Sequence, residues 1–84
     1  MFSYFFTFRG LTAAQSARSV LHDAGIWTRL QRAPAEISGL GCAYAVHVQA
    51  QEAARAAQLL RVWQKPPSGI YRLYANGFIE EAAL

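Results

Sequence analysis

The apolar positions of the chain fall into two alternating periods. Ser3 to Phe8 (SYFFTF) is an aromatic and β-branched run stopped by Arg9-Gly10, which reads as a buried strand. From Thr12, a candidate cap, Ala14, Ala17, Val20, Leu21 and Ala24 recur at helical spacing. Gly25 is placed to stop that helix in a left-handed conformation. Ile26 to Arg32 alternates apolar and polar residues, as a half-exposed strand does. Ala33 to Gly41, punctuated by Pro34, Gly39 and Gly41, reads as a loop. Cys42 to Val48 reads as the third strand, with Tyr44, Val46 and Val48 on one face and Ala43, Ala45 and His47 on the other. Gln51 to Gln64 is the clearest helix, with Ala53, Ala57, Leu60 and Trp63 or Gln64 on one stripe and Pro66-Pro67 beyond it. Ile70 to Tyr74 is the fourth strand, and the tail to Leu84 carries no clear period.

Strand, helix, strand, strand, helix, strand is the order of an α+β, ferredoxin-like βαββαβ fold. Right-handed crossovers then place two helices on one face of a four-stranded antiparallel sheet in the order 4-1-3-2. The central strands of that order, the first and third, are also the most apolar. The other face is left bare, with Trp27, Arg29 and either Phe5 or Tyr71 expected on it. Such a face suits a homodimer interface or a base-stacking platform.

Composition narrows the class. Eighty-four residues, 54% of them hydrophobic, fit one folded domain spanning residues 1–84. The net charge of +3, with only 15% charged residues, falls short of a dense nucleic-acid-binding stripe. One cysteine excludes an internal disulfide and a cysteine-rich zinc site. Met1 to Phe8 is too short for a signal peptide and has no basic residue ahead of it. Nothing reaches membrane-spanning length, so the cytoplasm is the expected location and no membrane partner is expected.

Most catalytic patterns are missing, and the expectation is a binding or carrier protein, not an enzyme. There is no phosphate loop, no metal-ligand spacing, and no motif that asks for a cofactor. His22 and His47 read as solvated, and Glu80-Glu81 as a charge pair in the tail. Cys42 stands out because of the topology. The end of the first strand, the start of the first helix, the end of the second strand and the start of the third share one pole of this fold. That pole would gather Arg9, Gly10, Thr12, Arg32 and Cys42, with Lys65 arriving from the second helix. A thiol near a helix start and two arginines is stabilised as the thiolate. Gly39 and Gly41 leave backbone amides approachable, which suits a bound anion or a persulfide. On composition and position alone, an inert, buried, small hydrophobe is the plainer reading of a cysteine that opens a central strand.

The stretch Pro34 to Val48 (PAEISGLGCAYAVHV) resembles the selenium/sulfur carrier protein-like family of small bacterial proteins. The aromatic strand at Tyr4 to Phe8 resembles that family's opening. So do Gly25-Ile26, the step Glu36-Ile37-Ser38, the cysteine Cys42, and the run Gly69-Ile70-Tyr71-Arg72. Ala43 stands where the family's pattern has glycine. The resemblance implies a carrier that holds sulfur or selenium on Cys42 and exchanges it with a desulfurase-like donor protein and an acceptor protein. Arg9 and Arg32 would then stabilise the anion, and Ser38, Gly39 and Gly41 would position it. Two other readings remain beside it. One is an interaction module dimerising through the bare sheet face, with a structural cysteine. The other is an RNA-recognition-like module, the weakest of the three, because Val46 and Val48 occupy positions where rings should stack.

Overall fold

A computed structural model describes residues 1–38 and 44–84. The elements run β1 (Phe2–Phe8), α1 (Leu11–Asp23), β2 (Thr28–Arg32), α2 (Ala35–Ser38), β3 (Tyr44–Gln49), α3 (Ala50–Val62), β4 (Gly69–Tyr74) and β5 (Ile79–Glu81). The sheet is antiparallel, in the order β2-β3-β1-β4-β5. The expected sequence of four strands is present, but a fifth is added outside β4, so the sheet is not the four-stranded one read from the sequence. The tail turns back at Gly77, whose φ of 90° favours glycine. Its Glu80 then pairs opposite Arg72. The Arg72 guanidinium donates to Glu80 at 2.9 Å, and the Tyr74 hydroxyl donates to the same oxygen at 2.5 Å. These two bonds hold the Glu80 carboxyl below its ordinary range. Glu80 is therefore a strand residue with two partners and not half of a loose charge pair.

Alternation on β1 divides the apolar side chains between two layers. Tyr4, Phe6 and Phe8 join Val46 and Val48 of β3 beneath Ala14, Ala17 and Leu21 of α1 and Ala53, Ala57 and Leu60 of α3. The two long helices thus share one face of the sheet, as the period predicts. Alanine dominates the inward stripe of each, which lets both backbones approach the aromatic strand. Thr12 does not cap α1: Gly10, in extended conformation, is the N-cap, without a side-chain hydrogen bond. At the other end Gly25, at φ 78°, closes the helix in a Schellman motif. The Ile26 amide bonds to the Leu21 carbonyl at 3.0 Å, and both side chains are buried. β2 starts only at Thr28, because Ile26 is used in that cap.

The opposite face is not bare. Ile37 of α2 packs with Phe5, Ala45 and Tyr71, and all four are buried. The segment read as an open loop contains this one-turn helix, which covers the middle of the face. Phe5 and Tyr71 are consequently unavailable for stacking bases. Trp27 alone of the expected aromatics is well exposed, at 54%. His47, expected in solvent, is half-buried. Its ring lies 5.1 Å from Phe5 and 6.1 Å from Trp27, and its Nε2 is hydrogen-bonded to the Ser3 hydroxyl at 2.6 Å. Burial, helped by the neighbouring Arg29 charge, pushes the His47 pKa below 6.5.

The sign of the resulting pH dependence follows. Above pH about 6.5 the imidazole is neutral in both the folded and the unfolded chain and contributes nothing to pH dependence. Below it the unfolded chain takes up a proton first, so stability falls with pH until the folded-state pKa is passed. Urea unfolding between pH about 7 and 5 should show this decline, and His47→Gln should remove that component. An unchanged slope in the variant would assign the decline to other groups.

Candidate functional site

One end of the sheet holds Arg9 and Arg32, two of the groups singled out from the sequence. Phe8, the last residue of β1, pairs with Tyr44, and Tyr44 pairs in turn with Arg32. Arg9 and Gly10 follow Phe8 directly and lead into α1. Arg9, Arg32 and the first described residue of β3 therefore lie at the same end. The Arg32 guanidinium is 5.5 Å from the centre of the Tyr44 ring, a cation–π contact that holds its charge over that ring. Arg9 is exposed. Among the described residues neither arginine has an ion pair; the salt bridges found there, Arg55–Glu52 and Arg72–Glu80, lie elsewhere.

Two helix ends complete this pole. α1 begins without a side-chain cap and without an acidic residue in its first turn. Its partial positive charge is therefore not offset by its own sequence. α3 ends at Val62, and Gln64 turns the chain with a φ of 57°, an uncommon left-handed conformation for a residue with a side chain. Lys65 is brought back by that turn, its amide bonding to the Leu60 carbonyl at 2.8 Å. A cleft of about 490 Å³ lies beside it, lined by Phe8, Thr12, Ala13 and Lys65 among others. Lys65 thus reaches α1's first turn, as the topology predicts.

The entry of β4 is clamped at the same end. The Ser68 amide donates to the Thr7 carbonyl at 2.7 Å, and the buried Thr7 hydroxyl donates to the Gly69 carbonyl at 3.1 Å. A Cβ on Gly69 would stand 3.0 Å from the Tyr71 ring and 3.2 Å from the Thr7 hydroxyl. A side chain there would press on both groups, which would have to give by a few tenths of an ångström, so the close approach favours glycine at this position.

The remaining candidates are less fully placed. Ser38 is the last residue of α2. Gly39, Gly41 and Cys42 lie outside the described residues, as does Ala43. Among the described residues no cluster of histidine, cysteine and carboxylate groups could hold a metal. No described helix is long and apolar enough to cross a membrane. Sequence reasoning missed Tyr44 as the seat of Arg32 and missed α2. The second had a signal, since Pro34 before Ala35-Glu36 is a helix-start pattern. Among the described residues this end gathers two guanidiniums, an ammonium and the start of α1, against the carbonyl end of α3 and the Glu36 carboxylate of the intervening α2.

The chain has a match among family models. The family described as Putative Se/S carrier protein-like matches residues 3–72, from β1 to Arg72 in β4, a span that takes in Arg9, Arg32 and Cys42. No curated protein and no solved structure matches the chain.

Proposed function

The chain belongs to this Se/S carrier protein-like family, and on that footing we propose that it carries sulfur or selenium on Cys42 and passes it between proteins. The observation supporting this most directly is the basic pole: Arg9 and Arg32, free of carboxylate partners among the described residues, stand at the end of the sheet where β3 begins two residues after Cys42. Positive charge there favours a thiolate before loading and an anionic persulfide or selenosulfide afterwards.

Transfer needs no net redox change. The Cys42 thiolate attacks the outer sulfur of a donor's cysteine persulfide. One Sγ–S bond forms, the donor's S–S bond breaks, and the donor cysteine leaves as thiolate with the bonding pair. An acceptor nucleophile then attacks the same outer atom and releases the Cys42 thiolate. With selenium, the outer atom is selenium and the bookkeeping is the same. Ser38 and the glycines at 39 and 41 would position the bound atom, and a desulfurase-like protein is the donor of matching chemistry.

Intact mass spectrometry tests this directly. After incubation with a persulfide donor and without reductant, the protein should gain the mass of one sulfur atom. Reductant should reverse the gain, and Cys42→Ser should never show it. A wild-type protein that stays unmodified under conditions that load a control thiol rejects the carrier reading.

A further inference from the structure

The outer side of the helix layer carries a second feature, which meets the basic pole at Lys65 and the first turn of α1. A trough of about 420 Å³ runs between α1 and the end of α3, walled by Val20, Leu59 and Trp63 and mostly apolar. Trp63 is 60% exposed there, just past the end of α3, whereas Ala56, Ala57 and Leu60 of that helix are buried. The trough continues into the cleft at the first turn of α1, because Ser16 and Lys65 line both. Its polar groups are ordered. Asp23 lines the trough, Ser16 and Lys65 line the part that joins the cleft, and Thr12 and Ala13 of the uncapped first turn of α1 line the cleft beyond. Asp23 and Ser16 are seven residues apart on α1, or roughly 10 Å, two helical turns. Among the described residues neither Asp23 nor Lys65 has an ion pair.

We propose that this trough is a docking groove for an amphipathic helix of a partner protein, lying antiparallel to α1. The partner's apolar stripe covers Trp63, Val20 and Leu59. A basic residue on it meets Asp23, and an acidic residue two turns later meets Lys65. The direction follows from the charges: the negative end of the docked helix faces Lys65 and the positive start of α1, and its own positive start faces Asp23. The groove lies outside residues 39–43, and the inference does not depend on Cys42 being loaded.

The test uses two labelled synthetic helical peptides, each about four turns long with the same apolar stripe. One has arginine followed seven residues later by glutamate, and the other has the two exchanged. Fluorescence polarisation with the full chain should show saturable binding of the first, about tenfold tighter than the second at low salt, with a narrower difference at high salt. The double exchange Asp23→Lys with Lys65→Glu should invert the preference. Trp63→Ala, at an exposed position, should weaken both by about tenfold or more while leaving the unfolding transition in place. Cys42→Ser should bind as the wild type does, so loss of carrier activity and loss of docking are read separately. Equal affinity for both peptides, or none for either, overturns the proposal. So does self-association of the chain that Trp63→Glu abolishes, which would assign the trough to a second copy.

Discussion

Phe6→Ala should destabilise the protein by about 3–5 kcal/mol, lowering the unfolding midpoint by roughly 15–30 °C. Phe6 is fully buried at the middle of the central strand, opposite Val46 on one side and Ile70 on the other. Its ring lies in the layer shared with Leu21 and Leu60, so removing it opens a cavity under both long helices at once. Neither neighbouring strand can close that space without breaking its register with β1. A domain of this size commonly holds only about 5–10 kcal/mol in total, so one such loss is most of the margin. Phe2→Ala is the control. Phe2 is 42% exposed on the same strand, and its loss should cost about 1 kcal/mol or less. Thermal and urea unfolding of the two variants check this. Similar costs for both would show that the core is not centred on β1.

The second large effect concerns the basic pole. Removing both guanidiniums, Arg9→Ala with Arg32→Ala, should slow alkylation of Cys42 near neutral pH roughly three- to tenfold, or about 0.7–1.4 kcal/mol of lost support for the thiolate. The rates should converge at high pH, where every thiol is ionised, and raised salt should shrink the gap as screening takes over. Arg32→Ala alone should have a smaller effect in the same direction. Tyr44→Leu should mimic part of it, because the Tyr44 ring is what holds the Arg32 charge at the start of β3. Wild type and double variant with superimposable rate–pH curves would remove the arginines from the site. The mass test above would then decide the carrier reading by itself.

Much of the fold was legible because its signals are local. The aromatic run of β1, the alanine spacing of α1 and α3, and Gly25 each act within a few residues, where period and backbone preference decide the outcome. The two elements that escaped are the shortest. α2 has four residues, too few to display a helical period, and Ile37 becomes informative only once Phe5 and Tyr71 lie beneath it. β5 has three, and it forms because the outer edge of β4 is open and Arg72 offers Glu80 a partner. Trp63, which its spacing put on the inward stripe, is exposed although its amide keeps the helical bond to the Leu59 carbonyl at 3.0 Å.

For the candidate site, chain order by itself put Arg9 and Gly10 at one strand end and Arg32 at another, with Cys42 ahead of a third strand in the sequence. Strand connectivity requires those ends to share a pole, and the alternation of β1 determines which of its rings face the helices. Tertiary structure decided what each group meets there. It seats Arg32 on Tyr44, leaves Asp23 and Lys65 without ion pairs among the described residues along an apolar trough, and lowers Ile37 onto the second face of the sheet. Local pattern is encoded by steric and periodic preferences within a few residues. Contacts between side chains far apart in sequence depend on register, twist and the exact reach of each group, and these exist only once the sheet has assembled.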